Sequence, residues 1–361
     1  IVETQVYFIE NNSEILGSKD KESLLEAAFP CDDIVKEIYG FSNKLLSPNE
    51  KVEGSTATIK EQDGYLQTIN MVETEVVDRA KFKISELNDI CHQNETEFSF
   101  IFYPSKSNSS TVPEEYGVDT NYEEVRADFI SYLDAKGLDY LNIRELLENE
   151  GYTANDVFYK TDHHWKTPFG FYAAHAIGDY LNDRYDWKLD VTALDEDKFT
   201  FTTYENLWLG ETGRDLSKTW AGVLDDFMQI MPNYETSISL YYPDGSEVSG
   251  DFSILIDDAG YDGDVDYYSY SAHYSYARGM GSQVTYHNNF ADGNGKRILI
   301  IKDSFSVVVI PFLTLETSDV TVWDMREESQ TSLYQYIQDN DFDIVLMAYT
   351  DFWRSDMWNF N

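Results

Sequence analysis

Two stretches of this chain hold side chains that could share one reaction. Thr161-Asp162-His163-His164-Trp165 packs an acid, two imidazoles and an indole into five residues. Far downstream, Arg297-Ile298-Leu299-Ile300-Ile301-Lys302-Asp303-Ser304 is an apolar run that ends in a serine. A strand that delivers a serine at its end is a common way for an α/β fold to present a nucleophile. A serine hydroxyl attacks only when a base takes its proton and a third group steadies that base. Asp162 and His164 stand two apart, so an extended backbone puts both on one face and sends His163 elsewhere. His164 is thus the expected base, Asp162 its orienting acid and Ser304 the nucleophile, and the chemistry would be acyl transfer or ester hydrolysis. The bland alternative is that an Asp-x-His pair merely stabilises a turn. Ser306 and Asp303 are the competing hydroxyl and acid.

These groups need a scaffold. Apolar residues recur at helical spacing from Tyr65 to Leu87, and Phe98 to Tyr103 reads as a buried strand stopped by Pro104. Tyr122 to Leu133 is a second helical pattern that should exit at Gly137. Thr167 and Pro168 look like an N-cap and first-turn proline, opening a helix whose buried stripe is Phe171, Ala174, Ile177 and Leu181. Helix and strand alternate again after Arg297, with strands at Thr321–Trp323 and Ile344–Ala348 and a helix around Leu333–Ile337. That alternation predicts an α/β fold, a mostly parallel sheet with helices on both faces. Residues 190–290 break the pattern, with dense Asp, Gly and Tyr and short alternating runs, and read as a β-rich insertion. Residues 1–64 read as a polar extension packing on a catalytic domain at 65–361. Just after Ser304 two readings stand. A helix would aim a backbone N–H at a developing oxyanion, whereas the β-branched Val307–Ile310 and Pro311 favour a second strand.

Composition narrows the partners. Acids outnumber bases 66 to 26, a net charge of -40, which repels polyphosphates and anionic bilayers, so nucleic acid is not expected as a ligand. An anionic substrate would need a local cation, and Arg326, following a strand in the last third, is the candidate; an ordinary ion pair is the alternative. Lys106 has the same two readings. Trp165 and the tyrosines around His273 could stack on sugar rings or simply pack. The acids at 257–266 miss the EF-hand spacing, and no zinc set assembles from the scattered histidines, so no metal and no cofactor is expected. Cys31 and Cys91 could form one disulfide or stay as thiols. No run of 18 apolar residues occurs, so no membrane span is expected. The chain opens on Ile1 rather than Met, as a segment does after a signal peptide or membrane anchor is removed, or where a longer sequence has been cut.

Asp162-His163-His164-Trp165, followed by Thr167, Gly170 and Ala173-Ala174, resembles the motif of the DHHW family. The wider pattern is similar to the alginate O-acetylation proteins of the SGNH-like acetyltransferase and hydrolase group. Pro104-Ser105-Lys106 resembles their Pro-x-Lys element, Asp303-Ser304-Phe305 their nucleophile block, and Trp323-Asp324-Met325-Arg326 their strand ending in Asp-x-Arg. The resemblance spans about 65–355. It implies a circularly permuted SGNH hydrolase-like fold, because the histidine block precedes the serine block. It also implies Ser304, His164 and Asp162 as catalytic groups, with Arg326, Lys106, Trp165 and Tyr349 as substrate-binding or oxyanion candidates. Where the family has Gly before Asp-Ser, this chain has Lys302. The implied function is O-acetyl transfer to, or removal from, a cell-envelope or secreted bacterial polysaccharide, outside the cytoplasm. Its partners would be a glycan acceptor and an acetyl donor, such as a membrane acetyl-transfer protein. The rival is a carbohydrate-binding scaffold that kept the fold and lost the chemistry.

Overall fold

A computed structural model describes residues 32–46, 50–53, 56–61, 63–69, 71–106, 120–278, 281–291, 295–350, 354–358 and 360. Most of the expected polar extension, Cys31 included, lies outside the described residues. In chain order the elements begin with α1 (Asp32–Leu46), β1 (Glu50–Glu53), β2 (Thr56–Lys60), β3 (Leu66–Ile69), α2 (Thr74–Gln93) and β4 (Glu97–Phe102). There follow α3 (Tyr122–Lys136), β5 (Tyr140–Asn142), α4 (Ile143–Asn149), α5 (Ala154–Val157) and α6 (Thr167–Tyr185). The middle holds β6 (Phe199–Trp208), α7 (Glu211–Leu216), α8 (Lys218–Ala221), β7 (Asp225–Pro232), β8 (Ile238–Tyr241), β9 (Glu247–Gly250) and β10 (Thr285–Asn288). The last part holds β11 (Arg297–Lys302), α9 (Ile310–Glu316), β12 (Asp319–Asp324), α10 (Leu333–Asp339) and β13 (Ile344–Tyr349).

Eight strands form the central sheet in the order β5-β4-β13-β11-β12-β10-β8-β9. The first five run parallel, and β10, β8 and β9 continue antiparallel. Alternation along the central strands decides which face each residue serves. Ile298 and Ile300 of β11, with Ile344, Leu346 and Ala348 of β13, join the apolar cluster under α6 and α9. Leu299 and Ile301, with Val345, Met347 and Tyr349, join the opposite cluster under α2, α3 and α10. Strands buried on both faces are what a parallel sheet requires, and the fold is the expected α/β class.

Some elements differ from the sequence reading. The helix expected from Tyr65 begins only at Thr74, and Leu66–Ile69 is β3, hydrogen-bonded to β2 in a small three-stranded sheet. Leu66 and Ile69 fit a helical stripe as well as a half-buried strand, and the β2 partner decides. Gly137 does end α3 in the left-handed conformation, φ 67°. Lys166, rather than Thr167, caps α6, and all four residues of the expected stripe are buried. The region read as an insertion contains the β6–β7 hairpin, but it also supplies β8, β9 and β10, the antiparallel end of the main sheet. Among the described residues, no helix is long and apolar enough to cross a membrane.

Candidate active site

The acid–histidine stretch sits on a loop between α5 and α6, tied down from beneath. Lys106 Nζ donates to the carbonyls of Tyr159 (2.6 Å), Lys160 (2.9 Å) and Asp162 (2.9 Å). The buried Asp225 carboxylate accepts from the amides of Lys160 (2.5 Å) and Thr161 (2.8 Å) and from the Thr161 hydroxyl (2.6 Å). So braced, the loop turns Asp162 back on its own neighbour. Asp162 Oδ1 accepts from the His164 amide (2.8 Å) and from His164 Nδ1 (2.6 Å), and Oδ2 accepts from the Glu211 amide (2.7 Å). A carboxylate only accepts, so Nδ1 carries the proton and Nε2 keeps its lone pair. Ser304 Oγ lies 2.7 Å from that Nε2.

Ser304 arrives as the sequence suggests, at the end of β11. Asp303 caps the turn: its buried carboxylate accepts from the Phe305 amide (2.9 Å) and from the Thr350 amide beyond β13 (2.7 Å). Ser304–Val308 then forms a 3₁₀ turn leading into α9, with Pro311 in the first turn. Of the two readings left open, the helical one holds here. Val307, Val308, Val309 and Ile310 are fully buried, and packing on every side outweighs their preference for a strand.

Burial sets the electrostatics. Asp162, His164 and Ser304 are 1%, 1% and 7% exposed. Burial opposes ionisation of Asp162, but His164, His163 and the Glu211 amide together hold its pKa well below the usual carboxylate range. Burial, with His163 and His273 adding to it, pushes His164 well below its ordinary value, against the pull of Asp162. His164 therefore stays neutral, in its base form, near neutral pH.

The remaining candidates divide by position. Arg326 is clamped on Asp324, Nε to Oδ1 (2.8 Å) and Nη2 to Oδ2 (2.6 Å), with its side chain 22% exposed. Its charge reaches both Asp303 and Tyr274. Lys302, where the resemblance has Gly, sends its ammonium to Asp324 Oδ2 (2.9 Å), its register partner on β12. Lys106 serves the loop carbonyls. Trp165 is fully buried, its Nε1 donating to the Phe305 carbonyl (3.1 Å) and its ring against Tyr103 and Phe305. Tyr349 is buried in the cluster on the α2 side of the sheet, its hydroxyl donating to the Met357 carbonyl (3.4 Å).

Two residues next to the pair were read in sequence only as members of an aromatic cluster or as a scattered histidine. His273, on a 3₁₀ segment at 272–278, lies parallel to His164 with ring centroids 3.8 Å apart and 16° between planes. Its Nε2 donates to the Ser304 carbonyl (2.8 Å). Tyr274 sets its edge towards His164 at 5.7 Å, and its hydroxyl faces the Ser304 side chain. His273 lies 31 residues before Ser304 and far after the Asp162–His164 loop, so only the fold brings the three together. Donor atoms of Asp162, His163 and His164 lie within 4.8 Å of one another, close enough for a metal, but Asp162 Oδ1 and His164 Nδ1 already bond to each other.

Residues 82–237 match the family described as an SGNH hydrolase-like domain, acetyltransferase AlgX. That span includes Asp162 and His164 and ends before Ser304. No curated protein sequence matches the chain. Among solved structures, PatB1 of Bacillus cereus with a sulfonyl adduct is similar in fold, with TM-score 0.68, 21% identity, and coverage of 86% of this chain and 99% of that one. A DHHW family protein from Eubacterium siraeum is also similar, with TM-score 0.60, 18% identity, and coverage of 86% and 97%. Over residues 82–237 the chain is thus similar to the SGNH hydrolase-like acetyltransferase domain, and in fold it is similar to PatB1 and to the DHHW family protein.

Proposed function

We propose that this chain is a serine enzyme that moves O-acetyl groups on a cell-envelope or secreted polysaccharide. One observation carries the reading: carboxylate, imidazole and hydroxyl lie in line, with contacts of 2.6 and 2.7 Å, on elements that meet only in the fold. His164 Nε2 takes the Ser304 proton as Oγ attacks the acetyl carbonyl, and the imidazolium that forms is stabilised by Asp162. The Ser304 amide, first in its 3₁₀ turn, is the proposed donor to the oxyanion, and Arg326 supplies a fixed positive charge nearby. Collapse of the tetrahedral intermediate expels the donor's leaving group, protonated by His164, and leaves acetyl-Ser304. His164 then deprotonates a sugar hydroxyl, or water, which attacks the ester and regenerates the serine.

The family match, described by its acetyltransferase activity, favours a sugar acceptor over water, and with it a place outside the cytoplasm where glycans are modified. A scaffold without chemistry would have no need for a hydroxyl held on a buried, carboxylate-backed imidazole. Lys302 does not argue for that rival either, since its buried ammonium is paired with Asp324.

The test is release of chromophore from a chromogenic acetyl ester. Ser304→Ala and His164→Ala should each lose at least ~100-fold in kcat/KM. Equal rates in wild type and both variants would remove the enzymatic reading. Adding an oligosaccharide and weighing the products separates transferase from esterase: acetylated sugar is expected, and acetate alone would make the protein an esterase.

A further inference from the structure

His164 is held from three sides, and the contact from the 272–278 segment is the most specific. The His273 ring lies flat on His164, 3.8 Å away, and is fully buried. Its one hydrogen bond among the described residues runs from Nε2 to the Ser304 carbonyl, and its Nδ1 is buried with no partner. A carbonyl can only accept, so the proton sits on Nε2 and the ring is neutral; a charged ring would bury a second N–H with nothing to receive it. His273 therefore touches the base and the backbone of the nucleophile at once, and competes for no proton of either.

We infer that His273 is a positioning residue for the proposed reaction. It keeps the His164 ring from turning away from Ser304, fixes the Ser304 backbone, and keeps water out of the space behind the base. The inference rests on the reading of Ser304 and His164 given above. It also gives part of the 190–290 region a role, since this is the segment that delivers His273.

The groups facing His164 are Asp162 and His163 from its own loop, Ser304 and Phe305 from the nucleophile turn, and His273 and Tyr274. Glu211 lies beyond, against His163. Truncating His273, the ring stacked flat on His164, opens space behind the imidazole and leaves the Asp162 and Ser304 bonds in place. Water there relieves the desolvation that holds His164 down, so its pKa must climb.

The experiment measures kcat, KM and the pH dependence of kcat/KM on the chromogenic acetyl ester for His273→Ala and His273→Phe, with Ser304→Ala alongside. His273→Ala should lower kcat by about 10- to 100-fold, leave KM nearly unchanged, and move the acidic limb of the profile to higher pH. His273→Phe keeps a ring over His164 and loses only the bond to Ser304, so its limb should stay with wild type and its rate fall by no more than about tenfold. A purely structural role would lower thermal stability and leave the limb in place. If His273→Ala leaves kcat and the limb unmoved, or if both variants move the limb alike, the inference is overturned. Should the alanine variant not fold, the phenylalanine variant decides: a loss as large as that of His164→Ala overturns it. Activity surviving in Ser304→Ala would instead refute the underlying catalytic reading.

Discussion

Gly170→Ala tests whether α6 sets the geometry of the proposed nucleophile, Ser304. Gly170 has ordinary helical neighbours and is buried on the inner face of α6. A methyl group there would sit 2.2 Å from Val308 Cγ2, 2.9 Å from Val308 Cβ and 3.1 Å from the Val308 carbonyl oxygen. Carbon atoms settle at about 3.5–4.0 Å, so helix and turn must part by more than about 1 Å. Val308 closes the same 3₁₀ turn that Ser304 opens. Overpacking of this kind costs about 1–3 kcal/mol, and alanine returns about 1 kcal/mol through helix propensity. Net stability should therefore fall by no more than about 2 kcal/mol, while displacement of Ser304 by about 1 Å should cost about 100-fold in kcat/KM. Thermal melting and ester hydrolysis on the same preparation separate the two effects. The double variant Gly170→Ala/Val308→Ala makes room again and should regain at least ~10-fold of the lost activity, a strong departure from additivity. A Gly170→Ala protein that is both more stable and fully active would refute the idea that this contact holds the serine turn.

Two further outcomes concern buried charge. Glu316, at the end of α9, is buried against α6 with neither carboxyl oxygen paired among the described residues, and burial, with Asp179 and Asp190, raises its pKa well above the ordinary glutamate value. The folded state thus holds the proton more tightly than the unfolded one. Its contribution to stability is complete below about pH 4.5 and is lost as pH rises through the raised value. Urea denaturation at several pH values should show a decline towards alkaline pH that Glu316→Gln flattens, and parallel curves for the two proteins would contradict this. Lys302 and Asp324 are 1% and 0% exposed in their side chains, so Lys302→Met should cost about 3 kcal/mol by leaving the carboxylate to Arg326 alone. Lys302→Met/Asp324→Leu should cost less than the sum of its singles, and a single-variant cost under about 1 kcal/mol would show the pair to be unimportant.

Much of this was legible in the sequence where a local pattern had one physical meaning. The apolar run Ile298–Ile301 fits a doubly buried strand, and Gly137, with no Cβ, suits a left-handed helix exit. Asp162 and His164 declared themselves by type and spacing, because a carboxylate two residues before an imidazole can reach its Nδ1 within one turn of loop. Local pattern failed where a distant partner decides. Leu66–Ile69 is a strand because β2 lies beside it, and β10 belongs to the main sheet because β12 has a free edge there. Val307–Ile310 is helical because the core closes around it, against the preference of each residue.

Lys302 and His273 show the same limit at the site itself. In sequence, Lys302 looked like damage, a long cation where the resemblance asks for the smallest residue. Its ammonium finds Asp324 at the same level of the neighbouring parallel strand, so the long cation is matched by a partner that the sequence places 22 residues away. Asp324 also clamps Arg326, so one buried carboxylate pairs with both cations. His273 had no motif at all, only a tyrosine-rich stretch around it, and its relation to Ser304 runs through a carbonyl that every residue possesses. A backbone acceptor leaves no trace in side-chain identity. Positioning residues that act through the main chain are therefore the class that sequence reading passes over, and they are recovered only when the fold shows which ring lies on which.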